Sequence, residues 1–347
     1  MRTSVTRAAV LALVKRNGTV DSRHWGHIVV AESTGRWLAV GDATTPVFAR
    51  TSAHALHCLL LISSGAAQRF GLESSELAAL TGSHPGSLLH TGLVRQVLAK
   101  GGIGPDDLAG HLTSSLDLEG MLTPGPGDAP DLAGCAGKHA AFLLLCRYLG
   151  YPFQGYWRPG HPVQRLVRER LAAEAGLPAR RLAVGLAGCG LPIYALPLQN
   201  LARFYARLAS PGQAAVQTLQ MAVGRHPYLA LPNQPLLAHL VEVTQGRILP
   251  LVAREGLCGL VVPGQGIGIA IKVDDGSPRA LLAVVPEVLR QLGLLSAGEQ
   301  TALAERTSPY IHSGRGEILG MVQAAFQLTP DPASARTTAS AGVRQPG

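Results

Sequence analysis

Strand-like segments occupy both ends of this chain, and helix-like segments fill its middle. Near the start, Leu11-Ala-Leu-Val14 is followed by the turn Arg16-Asn17-Gly18. His27-Ile-Val-Val30 and Trp37-Leu-Ala-Val40 then flank the hairpin turn Ser33-Thr-Gly35. Strand patterns return at Leu249-Pro-Leu-Val252, Gly259-Leu-Val-Val262 and Gly268-Ile-Ala-Ile-Lys272. A sheet must bury its apolar face against a second layer. This order therefore predicts one sheet built from both chain ends, with a helical lobe inserted: an α/β fold in the broad α+β sense.

The helical middle begins at Thr51, where Ala55, Leu56, Leu59 and Leu60 recur at three-to-four spacing. Further helices are predicted from Ser74 to Leu80, His90 to Ala99, Pro105 to Leu112, Ala140 to Leu149, Pro162 to Glu174, Leu198 to Ala209 and Ala214 to Val223. Met121 to Gly134 reads as a Pro- and Gly-rich loop, and Arg279 to Leu295 as a long helix. The expected organisation is an extension over 1–10, one domain over 11–326 and a disordered tail over 327–347. Within the domain the sheet draws on 11–50 and 249–295, and the helical lobe on 51–248.

Composition excludes several function classes. The chain has 347 residues, of which 47% are hydrophobic and 15% charged, so it can bury a large core. No apolar run reaches the roughly 18 residues of a membrane span. Ala8 to Val14 follows Arg2 and Arg7 as in a signal peptide, but Lys15-Arg16-Asn17 stands where a cleavage site belongs. The expected location is the cytoplasm. Five cysteines are too few and odd in number for a disulfide framework. The net charge of +8 comes from scattered basic residues, many beside acids, with no aromatic-interleaved stripe. Nucleic acid is not an expected partner.

Two short blocks carry the chemistry. Cys135-Ala-Gly-Lys138-His139 and Gly188-Cys189-Gly190-Leu-Pro192 each present a thiol on a Gly-flanked loop. Such thiols can share a soft metal or do redox chemistry. Cys-x-x-Lys is not a standard zinc signature, and both cysteines also fit as small buried hydrophobes.

Further motifs stand in a fixed order around these blocks. Ser22-Arg-His24-Trp-Gly26, Gly41-Asp42, Arg50-Thr51-Ser52-Ala53-His54 and Ser83-His84-Pro-Gly86 precede them. Tyr156 and His161-Pro162-Val-Gln164 lie between the two cysteine blocks, and Gly266-Ile-Gly268 and Asp275-Gly276-Ser-Pro-Arg279 follow. Over residues 11 to 295 the ordered set resembles the Rhizobium-type L-asparaginase II family. The resemblance implies a fold like that of serine β-lactamases, penicillin-binding proteins and glutaminases. It also implies a homodimer that hydrolyses asparagine to aspartate and ammonia, with a small amino-acid amide as its partner.

The resemblance further implies zinc held by Cys135, Lys138 and Cys189. Two thiolates and a neutral amine would bind it, leaving a fourth position open. A lysine ligand must lose its proton, so such a site weakens at low pH. The family carries Arg-Ser-Ser-x-Lys where this chain has Arg50-Thr51-Ser52-Ala53-His54. Thr51 thus stands at the nucleophile position and His54 at the base position. Three residues apart on a helix, the two share a face, and histidine can act as a base near neutral pH. Ser83 matches a second serine. Its lysine partner is matched by Arg254, which cannot serve as a base but can hold a carboxylate or an oxyanion. Ala187 replaces an acidic substrate anchor, and Cys258 replaces a glutamate.

Arg50, Ser22, His24 and His139 complete the expected substrate-binding set. Plain structural roles stay open for Ser22 and His24 as a polar turn, His84 as a hydrogen-bonding core residue, Asp42 as a turn and His161 as a helix start. Cys58 and Cys146 read as core. Two functions follow: an amidohydrolase with altered catalytic residues, or a non-catalytic paralogue that binds metal and an amino acid.

Overall fold

The computed structural model describes residues 7–108, 134–306 and 309–330, with backbone alone at 51–54 and 306. Its strands are β1 (Ala9–Arg16), β2 (Thr19–Glu32), β3 (Trp37–Val40), β4 (Pro46–Phe48), β5 (Ala183–Leu186), β6 (Pro192–Pro197), β7 (Leu249–Val252), β8 (Leu257–Val262), β9 (Ile267–Val273), β10 (Tyr310–His312), β11 (Ile318–Ala324) and β12 (Thr329–Pro330). Its helices are α1 (Arg50–Ser63), α2 (Ala66–Arg69), α3 (Ser74–Thr81), α4 (Leu88–Lys100), α5 (Ala136–Leu149), α6 (Pro162–Ala175), α7 (Leu198–Leu208), α8 (Ala214–Arg225), α9 (Pro227–Ala230), α10 (Pro235–Val243), α11 (Leu281–Gln291) and α12 (Ala297–Arg306). Helix and strand are thus mixed, and each described register is antiparallel. None of these helices is long and apolar enough to cross a membrane.

The chain forms two compact units. The first takes Met1–Val47, Pro197–Pro211 and Ala253–Gly347, and the second takes Phe48–Leu196 and Gly212–Val252.

In the first unit the sheet runs β10-β11-β1-β2-β9-β8. Strand β2 is its spine. Its first half pairs β1 from Thr19 to Gly26, its second half pairs β3 from Ile28 to Ala31, and its other edge pairs β9. Asn17 and Gly18, with φ of 44° and 81°, make the β1–β2 turn that hairpin twist favours. Strand β8 is buried at every position, which requires cover on both of its faces. Helix α7 packs on β2, β8 and β9. It sits so close that a side chain at Gly259 would strike the Tyr205 ring, and one at Gly268 the backbone of α7.

Several elements differ from the sequence expectation. Helix α7 belongs to the sheet unit, although residues 198–209 read as part of the helical lobe. Its buried residues Leu198, Leu201, Ala202, Tyr205 and Leu208 fit a sheet as well as another helix. Strands β10 and β11 extend the sheet past 295; β11 is mostly solvent-facing and lacks the alternation that marks a strand. The long helix expected over 279–295 is α11, which ends at Gln291 ahead of Gly293 (φ 65°). Of Pro105 to Leu112, only Pro105–Asp107 forms a 3-10 turn. Residues 109–112, and 121–133 of the expected loop, lie outside the described residues. The expected tail starts with β12, paired to Ala39 and Leu38, and from 331 it lies outside them too.

The second unit is built around α5. Every residue from Ala136 to Cys146 is buried. Helices α1, α2, α3, α4 and α6 all pack on it. Strands β5 and β6 form a hairpin within the unit, and the Ala49 N–H donates to the Tyr194 carbonyl, tying the start of α1 to β6.

Candidate active site

The first turn of α5 is the centre of the site. Gly134 (φ 63°) turns the chain into it, and its backbone exchanges two hydrogen bonds with His84, at 2.9 and 3.1 Å. That bridge sets Cys135 beside Ser83. Gly137 has a packing reason: a Cβ there would lie 2.9 Å from the Ala79 carbonyl oxygen, so only glycine lets α5 approach the end of α3 this closely. Cys189 sits in the turn of the β5–β6 hairpin. The Ala187 N–H donates to the Leu191 carbonyl at 2.8 Å, the Gly190 N–H donates to the Ala187 carbonyl at 2.9 Å, and Gly190 takes φ 85°.

Four side chains converge here. The Lys138 Nζ donates to the Ser83 Oγ at 3.0 Å, and Ser83 lies 3.7 Å from the Cys135 Sγ. Because Lys138 supplies the proton in its contact, the Ser83 hydroxyl is free to donate its own to sulfur. The Cys189 thiol hydrogen-bonds the same sulfur and pulls the Cys135 ionisation well below its ordinary value; burial opposes this, and the Lys138 charge and Ser83 reinforce it. Cys189 is pushed the other way by that hydrogen bond, by burial and by the Cys135 charge. Lys138 itself is only 1% exposed. A deeply buried lysine thus bonds the serine that touches the Cys135 sulfur.

Three histidines surround this charge. His57, His84 and His139 are buried, and burial first, with the Lys138 charge contributing, pushes each down to about 3. His139 bonds the Tyr156 hydroxyl through Nδ1 at 2.6 Å, and its buried Nε2 has no partner among the described residues. His84 stacks on His90 with ring centroids 4.9 Å apart, and neither of its ring nitrogens has a hydrogen-bond partner among the described residues. Among those residues its side chain therefore does not make the structural hydrogen bond that the sequence left open for it.

The residues singled out from sequence fall in different places. Thr51 and His54 lie three positions apart in the first turn of α1, described by backbone only. Arg50 opens that helix with φ 41°, a left-handed conformation that costs a non-glycine residue energy. Ser83, Cys135, Lys138 and Cys189 come together. The lysine that reaches Ser83 within the second unit is Lys138. Arg254 belongs to the first unit, in the exposed turn between β7 and β8. Cys258 is buried in β8 and pushed up to about 12 by burial.

Ser22 and His24, also in the first unit, are already engaged. His24 contacts Asp275 through Nδ1 at 2.6 Å. The Arg279 side chain donates to His24 Nε2 at 2.9 Å and to Ser22 Oγ at 3.0 Å. Both ring nitrogens of His24 are thereby occupied. Sequence reasoning missed this network, and it missed His57. The motifs holding Ser22 and Arg279 were visible, but nothing in their spacing of over 250 residues announced contact.

The donor set fits a soft metal. Two sulfurs share a hydrogen bond, and Lys138 bonds the serine that touches one of them. Among the described residues, no group of three or more His, Cys, Asp or Glu side chains could hold a metal.

The chain mixes helix and strand, and in it a buried amine bonds a part-buried serine hydroxyl beside a cysteine sulfur. The model of the L-asparaginase II family matches residues 12–324, and the chain belongs to that family. Membership makes it a hydrolase-type protein, with amide hydrolysis as the associated chemistry. A comparison with the curated proteins returns no match.

Proposed function

We propose that this chain hydrolyses the side-chain amide of a small amino acid, asparagine first, and that residues 11–326 act as one amidohydrolase domain. The observation that carries this reading is the hydrogen bond from buried Lys138 to Ser83 beside the Cys135 sulfur. It keeps a polarised hydroxyl at the start of the buried helix α5. In this reading the Thr51 hydroxyl attacks the amide carbonyl and His54 accepts its proton. The acyl-enzyme forms as ammonia leaves, and water then releases the acid. Ser83 orients and polarises the reacting groups, His139 offers its unpaired Nε2 to substrate, and Arg50 holds the substrate carboxylate. Cys135, Lys138 and Cys189 would hold zinc, which when bound supplies a fixed positive charge near the substrate. A sheet assembled from both chain ends, with a separate helical unit, supports kinship with the β-lactamase and glutaminase folds.

The test is ammonia release from asparagine and from glutamine by wild type, Thr51→Ala and Ser83→Ala. Loss in both variants supports the assigned roles; equal turnover in all three sinks them. A second reading, binding without hydrolysis, is favoured by Ala187, which offers no acidic side chain next to Cys189. Thermal stabilisation by asparagine with no ammonia released would establish it instead.

A further inference from the structure

We propose that the open edge of β5 docks an extended peptide segment with an acidic C-terminal end, added as an antiparallel strand. The smaller sheet runs β4-β6-β5, so β6 covers only one side of β5. The Ala187 N–H donates to the Leu191 carbonyl, and β5 and β6 pair in that register back to Ala183. Bonds in an antiparallel ladder alternate, so Gly185 turns its backbone groups toward β6, and Val184 and Leu186 turn theirs away. Two contacts agree with this. Pro192, opposite Leu186, has no N–H to give, and the Tyr194 carbonyl, opposite Val184, accepts from the Ala49 N–H instead. The N–H and C=O groups of Val184 and Leu186 therefore line the open edge, with no partner among the described residues. At Leu182, the next outward position, the carbonyl accepts from the Arg168 side chain at 3.2 Å.

Edge strands are usually guarded by a charge, a proline or a bulge. Strand β5 reads Ala-Val-Gly-Leu in an unbroken register, and shortness is its one guard. Val184 and Leu186 share a face and are 42% and 63% exposed. On the other face, a Cβ at Gly185 would lie 2.9 Å from the Phe48 ring, itself 40% exposed. An incoming strand thus meets apolar surface on both faces as well as backbone partners. Charge sets its direction. Arg180 and Arg181 stand exposed just ahead of β5, and neither they nor Arg168 has a carboxylate partner among the described residues. The C-terminal end of an antiparallel strand reaches these arginines, so its acidic residues belong there. A second copy of this chain fits less well. Two-fold pairing of β5 with itself would set the stretch 187–191, Ala-Gly-Cys-Gly-Leu, against the arginines, and it holds no acid. This surface is independent of the amidohydrolase and zinc assignments.

The experiment uses full-length protein and a fluorescein-labelled probe peptide, Thr-Val-Thr-Val-Thr-Asp-Glu. Fluorescence anisotropy should show saturable binding that weakens as salt rises. Ending the probe in Lys-Lys should weaken binding about tenfold or more, as should Arg180→Glu combined with Arg181→Glu. Val184→Pro removes an outward N–H and no bond to β6, so it should abolish binding. Should that variant not fold, Leu186→Lys takes its place. Hydrogen exchange at the Val184 and Leu186 amides should slow when the probe is bound. No saturation by about 1 mM probe, or binding unchanged by the edge variant, would overturn the proposal. So would sedimentation showing a dimer that the edge variant splits into monomers, because the edge would then belong to a second copy.

Discussion

The Lys138 ammonium donates to the Ser83 hydroxyl across 3.0 Å, although 54 residues separate the two in sequence. The contact gives a family-type serine a lysine partner from a different part of the chain than the motif order suggests. Replacing Lys138 with Met keeps the length and apolar stem while removing the donor. We expect Lys138→Met to lower amide turnover on the order of 100-fold. It should also raise the pH at which Cys135 becomes alkylatable, since the Lys138 charge helps keep that sulfur ionised. Turnover within about threefold of wild type would remove Lys138 from the mechanism.

Acid should unfold the helical unit through its histidines. His57, His84 and His139 ionise at about 3 when folded, against about 6.5 in an unfolded chain. The unfolded state therefore binds more protons between those values. Stability is fully present above pH 6.5 and drains as pH falls toward 3, at up to about 1.4 kcal/mol per pH unit for each histidine. Urea titrations of chelator-treated protein at pH 7, 6 and 5 would measure the slope.

His84 offers a sharper version of that test. With neither nitrogen paired, it gains nothing from being polar. His84→Phe keeps an aromatic ring against His90, so it should be neutral or stabilising at pH 7 and should flatten the acid slope. A loss above about 2 kcal/mol at pH 7 would mean that the imidazole has a partner after all.

Gly137→Ala should reverse the usual helix rule. In an exposed helix interior the change gains about 1 kcal/mol. Here the new methyl meets the Ala79 carbonyl oxygen at 2.9 Å. Thermal denaturation should show a loss of about 1–3 kcal/mol.

Zinc affinity should fall as pH falls. Cys189 holds its proton when no metal is bound, and Lys138 must give one up to become a ligand. Competition with a chromogenic chelator at pH 8 and pH 6 would show weaker binding at the lower value. Equal affinities would exclude these three residues as the ligand set.

The sequence was informative where local pattern decides structure. Strands β1, β2, β8 and β9 and the buried helix α5 follow from runs of Val, Ile, Leu and Ala, and the two cysteine blocks marked the turns that meet. It was silent where a partner lies far along the chain. Strand β11 pairs β1 from the opposite end of the molecule, and Arg279 reaches Ser22 across 257 residues. Neither contact leaves a periodic trace. Lys138 shows the same limit: the sequence placed it on a loop ahead of a helix starting at Ala140, whereas α5 begins at Ala136 and carries it, and its bond to Ser83 depends on the bridge between His84 and Gly134.

That bridge has an evolutionary consequence. Two backbone hydrogen bonds join residues 84 and 134 and hold Ser83 in register with Cys135. Backbone groups make both bonds, so the register does not depend on which side chain stands at position 84. That side chain can thus drift across descendants without dismantling the chemistry beside it.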